Sequence, residues 1–319
     1  MAVLISGSIA FDTVFEHAGR FSDAILPDAI PSLNLTFQAQ AMRRSIGGCA
    51  GNIAYALRQL GGTPLIWTAV GGDAAPLLEH LKRHDIDTSE IVVIQETYSA
   101  QAVITTDANG CQLTTFFSGA MQYADRIAFP KERTIELAIL APTTEKPLLA
   151  HAKALRSRAI PYLLDTGQTT PLFSGEQLLM LAEHAAGVCY SDYEQELYRE
   201  KTGLDAAALS ARTGAVFCTH GAEGSTVWIA GEPHPVHAVP TMAVDPVGAG
   251  DAYRGGLLFA LARGLNPLIA ARVGSLIAAQ KVAAAGPTYR YSLEAMLHDY
   301  QCVYKEAPPE TLTQEPRSN

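Results

Sequence analysis

The segment Asp245 to Gly256 reads DPVGAGDAYRGG and runs straight into the apolar LLFAL of residues 257–261. Small and apolar residues after a glycine-rich turn predict a buried helix over Asp251–Arg263. Gly248, Ala249 and Gly250 leave the backbone of its start open to a ligand, and the unpaired amides and positive dipole end there favour an anion. Asp251 stands within reach of whatever that anion site holds. The segment alone leaves two readings of Asp251. It is a weak base that takes a hydroxyl proton late in phosphoryl transfer, or it is an N-cap worth about 1 kcal/mol above a plain glycine turn.

A second glycine-rich turn opens GGCAGNIAYALRQLGG, residues 47–62, where Ile53, Ala56, Leu57 and Leu60 have amphipathic helix spacing. Around these two segments strands and helices alternate. Strands are expected at Val3–Ile9, PLIWTAV (64–70), Ile91–Ile94, Leu137–Leu140, Tyr162–Leu164, Val188–Tyr190, Val216–Thr219 and Thr226–Ile229. Helices are expected at Ala75–His84, Glu145–Ser157, Gly175–Ala185, Asp192–Lys201, Ala206–Arg212, Pro267–Ala285 and Ser292–Tyr304. This rhythm predicts a parallel sheet. Two stretches break it. Asp12–Ser45 carries Pro27 and Pro31 with no helical period, and Ala100–Thr106 and Leu113–Phe117 flank an Asn-Gly turn as a hairpin. The two insertions are expected to meet as a small β lid. The proline-rich end from Ala307 is expected to be loose.

Other phosphate and hydrolase signatures are absent. There is no Gly-Lys dipeptide for a P-loop, Tyr253 stands where a dinucleotide fingerprint from Gly248 needs glycine, and neither H-E-x-x-H nor G-x-S-x-G occurs. The formal charge of -9 speaks against nucleic acid, which is held by many Lys and Arg contacts, but not against a small anion held by backbone amides. With 48% hydrophobic and 17% charged residues the chain reads as folded, and no apolar run approaches the roughly 20 residues of a membrane span. The start MAVLISGSIAFD lacks a basic n-region, so a cytoplasmic location is expected. The five cysteines show no C-x-x-C pair and read as mostly buried free thiols.

GGCAGNIAYALRQLGG and DPVGAGDAYRGGLLFAL, in that order, resemble the two signatures of the ribokinase-like (PfkB) kinases. The resemblance spans nearly the whole chain. It implies a doubly wound α/β sheet with helices on both faces plus a small β lid, the large domain taking residues 1–11, 46–98 and 119–306, the lid 12–45 and 99–118, and the flexible tail 307–319. It further implies a phosphotransferase using ATP and Mg²⁺, with K⁺ as an additional candidate and a homodimer through the lid by analogy.

Carried over residue by residue, the resemblance makes Asp251 the catalytic base and Gly248, Ala249 and Gly250 the anion hole. The family's Asn-x-x-Glu motif becomes Ser191-Asp192-Tyr193-Glu194, with serine in place of asparagine and Glu194 organising Mg²⁺ through water. Thr219, Gly221 and Gly224 resemble the turn that receives ATP. GSIAFD, GRFSDAILP, TTFFSGAM and SDYEQELYREKTG look like bacterial adenosine kinases and broader nucleoside kinases. On that likeness Asp12 accepts hydrogen bonds from a ribose diol, with Asn52, Gly47 and Gly48 beside it. Phe116 stacks on a base, and Ser8, Thr36 and Gln168 are further polar contacts. Phe116 and Phe117 fall on opposite faces of the hairpin, so only one faces the ligand. Ala102 is small where a second aromatic would sandwich adenine, which leaves room for hypoxanthine or guanine. A sugar acceptor of the ribose or fructose kind is the alternative within kinases, and a ligand-binding module that lost its chemistry is the alternative outside them.

Overall fold

The computed structural model describes residues 2–25, 32, 34–286 and 288–313. Residues 26–31 and 33 of the expected lid and 314–319 of the tail lie outside the described residues. In chain order the strands are β1 Ala2–Ser6, β2 Ala10–His17, β3 Ala39–Gly47, β4 Pro64–Gly71, β5 Ile91–Ile94, β6 Ala100–Thr106 and β7 Gln112–Phe117, followed by β8 Ile135–Leu140, β9 Tyr162–Leu164, β10 Gly187–Ser191, β11 Val216–Thr219, β12 Ser225–Ile229 and β13 Glu232–Val236. The helices are α1 Phe21–Ala24, α2 Cys49–Gln59, α3 Ala75–Arg83, α4 Glu145–Arg156, α5 Gly175–Ala182, α6 Asp192–Thr202, α7 Ala206–Ser210, α8 Ala249–Leu261, α9 Pro267–Val282, α10 Leu293–Tyr304 and α11 Glu310–Thr313.

Nine strands form one sheet in the order β13-β12-β11-β10-β9-β8-β1-β4-β5, parallel except for β12 and β13 at one edge. Its central strands are apolar on both faces. In β1, Val3 and Ile5 join a core under α2, α3, α8 and α9, while Leu4 between them joins a second core under α4, α5, α6 and α7. Ile66 and its neighbours Leu65 and Trp67 in β4 divide the same way. A strand whose successive side chains alternate between two apolar layers needs a helical cover on each side, which is the doubly wound arrangement.

A second sheet has the order β3-β2-β6-β7 and joins both rhythm-breaking stretches. β2 pairs parallel with β6, and the two hairpin partners β3 and β7 flank them antiparallel. The expected first strand to Ile9 ends instead at Ser6. A Cβ on Gly7 would lie 2.9 Å from that of Ala141 and 3.3 Å from that of Ala50, so the chain passes a gap too tight for a side chain and crosses to the second sheet at Ala10. The end expected to be loose from Ala307 forms α11, anchored by fully buried Leu312. The thiols also differ from expectation: Cys189 and Cys218 are buried, Cys49 is half-buried, and Cys111 and Cys302 are exposed.

Candidate active site

The carboxyl ends of the parallel strands converge on one side of the large sheet, where ligands of doubly wound folds sit. Ser8 follows β1, Asp165 follows β9, Ser191 closes β10 and Thr219 closes β11. α8 starts at Ala249, two residues before the expected start, with Gly248 as its N-cap at φ +82°, a conformation that favours glycine. Asp251 is therefore inside the first turn and does not cap it. The amides of Gly250 and Asp251 find no backbone acceptor among the described residues, which leaves two donors facing outward at the positive end of a helix.

Asp251 Oδ2 instead accepts a hydrogen bond of 2.8 Å from Asn52 Nδ2 in the first turn of α2. Two close approaches hold these turns together. Gly255 lies so near α2 that a Cβ there would sit 2.5 Å from that of Ala56, and Gly256 packs so closely on α9 that a Cβ there would sit 2.7 Å from Gly274 Cα. Burial pushes the Asp251 carboxyl above its usual range, while the Asn52 hydrogen bond and the Arg254 charge pull it back.

Asp12 lies on β2 of the second sheet. Burial and, after it, the charge of Asp251 push its carboxyl up to about 6. The Asp12 carboxylate occupies the space beside Gly47 on β3, where a Cβ would meet Oδ2 at 2.1 Å. Gly48, at φ +91°, turns the chain into α2, and a Cβ there would collide with Ser8 O at 2.6 Å. Asp12, Gly47, Asn52 and Gly248 line one cavity of about 240 Å³, together with Val14 and Ile104 of the second sheet.

Cross-strand register decides which aromatic faces this cavity. Ser45, Asp12, Ala102 and Phe116 are successive partners across β3, β2, β6 and β7, so all four share a face; Phe117 pairs with Gln101 and belongs to the opposite one. Both phenylalanines are about half exposed on the edge strand. Gln168 is exposed in the turn after β9, with its amide 3.9 Å from Cys49 Sγ at the start of α2. Ser8 and Thr36 are placed otherwise than as open ligand contacts. Ser8 is buried and its Oγ accepts from Cys49 N at 3.0 Å, so it supports the turn, and Thr36 is exposed on the loop before β3 and does not line the cavity.

On the other side of α8, Ser191 and Glu194 form a reciprocal cap of α6. Ser191 N donates to Glu194 Oε2 at 2.8 Å, and Ser191 Oγ accepts from Glu194 N. The serine is thus engaged with its own helix. Glu194 keeps one carboxylate oxygen outside this cap, which fits a Mg²⁺ ion bound through water and substrate phosphates and requiring only one carboxylate. Thr219 Oγ1 donates to Tyr190 O at 3.5 Å. Gly221, at φ +57°, has open space where a Cβ would be, whereas a Cβ on Gly224 would meet Val236 O at 2.2 Å. A ligand can approach the first and not the second. His220 is hydrogen-bonded to Asp192 and to Thr226 Oγ1, the latter at 2.9 Å; Asp192, Cys218 and His220 are the group among the described residues whose ligand atoms lie close enough for a metal.

Two charged pairs escaped the sequence reading. Arg254 is buried, pairs with buried Asp165 and donates to Gly250 O at 3.0 Å, bracing the start of α8 from beneath. Lys281 pairs with Asp245. Each was detectable as a basic residue in a largely small and apolar helix, where burial demands a partner.

Fold and site together define a phosphotransferase with a hydroxyl group as acceptor. Residues 20–294 match the family described as pfkB family carbohydrate kinase, and the chain belongs to that family. The nucleoside kinase of Methanothermobacter thermautotrophicus is 30% identical over 288 residues, covering 86% of this chain and 87% of that protein. The nucleoside kinase of Methanocaldococcus jannaschii is 27% identical over 262 residues, 81% and 86% respectively. Among solved structures, Burkholderia thailandensis nucleoside kinase in complex with inosine superposes with a TM-score of 0.86 at 36% identity, over 96% of this chain and 99% of that one. The same enzyme in its ADP-inosine complex gives 0.83 at 36% identity, over 96% and 97%.

Proposed function

We propose that the protein transfers the γ-phosphoryl group of ATP to the 5'-hydroxyl of a purine ribonucleoside, with inosine and guanosine as acceptors beside adenosine. The observation that carries this reading is a pair of neighbouring carboxylates: Asp251 is hydrogen-bonded to Asn52, and Asn52 lines a cavity with Asp12, whose carboxyl feels the Asp251 charge. One carboxylate suits a hydroxyl that reacts and the other a vicinal diol that is held, because a carboxylate accepts two hydrogen bonds at once. The relatives named nucleoside kinase, and the inosine and ADP bound to the Burkholderia enzyme, support the same assignment.

Asp251 takes the 5'-hydroxyl proton as the new oxygen–phosphorus bond forms and the bond to the β-phosphate oxygen breaks, and ADP leaves. The amides of Gly250 and Asp251 receive the charge on the transferred group, and Gly248 leaves room for it. Glu194 would hold Mg²⁺ through water, which supplies neutralisation of the phosphate charge. Phe116 offers one aromatic face to the base. Ala102 beside it offers none, so the base is stacked on one side and not clamped, which favours tolerance of adenine, hypoxanthine and guanine alike.

ADP release over a panel of nucleosides and free sugars tests the acceptor. Purine nucleosides should turn over and ribose or fructose should not; the reverse order makes the enzyme a sugar kinase. Asp251→Asn should keep nucleoside binding by calorimetry and lose about 10²–10⁴-fold in kcat. Binding of nucleoside by the wild type without ADP formation at any Mg²⁺ concentration would mark a binding module instead.

A further inference from the structure

The helix α9 ends on a charge that the rest of its buried surface does not share: Lys281 is 2% exposed. Its Nζ donates to the backbone oxygen of Asp245 at 2.9 Å and lies 3.5 Å from Asp245 Oδ2. Asp245 is fixed in turn. Its two carboxylate oxygens accept from Val247 N and Gly286 N, each at 3.0 Å, and the amides of Val244 and Asp245 both bond to Val282 O. Asp245 to Gly248 is the turn that delivers the anion hole. Lys281 Cε comes within 3.7 Å of the point a Cβ on Gly248 would occupy, and Asn52 Nδ2 within 3.8 Å of the same point. Lys281 and Asp245 both line the cavity that holds Asp12 and Asn52.

An ammonium group withdrawn from water costs several kcal/mol unless it is paired, and the last turn of a helix is where a cation is favoured. We propose that Lys281 is a built-in cation of the transfer site. It is a positioning residue that neutralises Asp245, sets the Asp245–Gly248 turn and adds positive charge beneath the anion hole, so that no monovalent metal ion is needed there. A monovalent cation paired with the Asp245 carboxylate would have to compete with the Lys281 ammonium, which lies 3.5 Å from Oδ2. This inference rests on the phosphoryl-transfer reading of the α8 start.

Rates with ADP quantified by chromatography, in K⁺, Na⁺ and tetramethylammonium salts at equal ionic strength, should agree for the wild type within about twofold. Lys281→Met should lose about tenfold or more in kcat in tetramethylammonium and regain part of it in K⁺ or ammonium salts. Melting temperature gives a readout independent of turnover: K⁺ relative to tetramethylammonium should raise that of Lys281→Met and leave that of the wild type unchanged. A wild type stimulated severalfold by K⁺, or a Lys281→Met enzyme fully active in tetramethylammonium, overturns the proposal. Lys281→Gln serves the same comparison if the methionine variant does not fold. If no acceptor is phosphorylated at all, the functional reading fails while the melting comparison still judges the cation.

Discussion

Asn52 Nδ2 donates to Asp251 Oδ2 across 2.8 Å, joining the first turn of α2 to the first turn of α8. Asparagine carries no charge, yet its hydrogen bond both orients the carboxylate and, with the Arg254 charge, lowers a proton affinity that burial raises. On the proposed function, the oxygen not engaged by Asn52 would receive the acceptor hydroxyl. On the same proposal, with the base oriented from one side, acceptor binding depends on the other, around Asp12.

The Asp12 carboxyl is raised from 3.8 to about 6 by burial and by Asp251. The folded state therefore holds this proton more tightly than the unfolded chain does. Stability is greatest below the unfolded value and is lost as pH rises through the folded one. Asp12→Asn should melt above the wild type at pH 7.5, by roughly 2–4 °C for each kcal/mol gained, and should lose that advantage near pH 4. Scanning fluorimetry at the two values checks this. The same titration requires kcat/KM for the acceptor to fall as pH drops below about 6, since only the ionised carboxylate accepts both diol protons.

Gly47→Ala places a methyl group 2.1 Å from Asp12 Oδ2, so the carboxylate must move. The KM for the nucleoside should rise by about 10²-fold while that for ATP stays within about twofold, because a shift of ~1 Å in a positioning group is enough for such a loss. Steady-state kinetics with each substrate varied in turn separates the two. A parallel rise in both constants would mean that the turn into α2 has collapsed.

Phe116→Ala should raise the nucleoside KM about tenfold, the loss of one stacking face, while Phe117→Ala should leave it within about twofold. Their register on β7 puts only the first on the face of Asp12. Equal effects from the two substitutions would count against the assignment of faces.

Ser191→Ala removes one half of the α6 cap and should cost about 1 kcal/mol, seen as a melting temperature lower by roughly 2–4 °C, with the ATP KM nearly unchanged. A tenfold rise in that KM with no thermal effect would assign the hydroxyl to the nucleotide instead.

Much of the fold was legible because the chain's two periodicities are clean. Val3, Leu4 and Ile5 read as one apolar run, and a run of that kind fits only a strand covered on both sides. The hairpin around Asn109-Gly110 was equally plain. Its parallel partner β2 was not, because strand pairing between distant segments leaves no local periodic trace. Asp251 was legible from its glycine turn and Asn52 from the family resemblance, yet their mutual bond depends on Gly255 and Gly256 packing against Ala56 and Gly274, which no local pattern encodes. The Ser191–Glu194 cap was written in the sequence as S-x-x-E and was passed over in favour of a missing asparagine. Arg254 and Lys281 were passed over, because the partners that make their burial possible, Asp165 and Asp245, come from other elements.

The parallel pairing of β2 with β6 sets Ala10 beside Ala100 and Asp12 beside Ala102. The chain between them holds β3, α2, β4, α3 and β5, so the pairing closes a long loop. Loop-closure entropy makes such a contact a late event in folding. Asp12 should accordingly be fixed late during refolding, and on the proposed function acceptor binding should return more slowly than the far-ultraviolet signal of the helices.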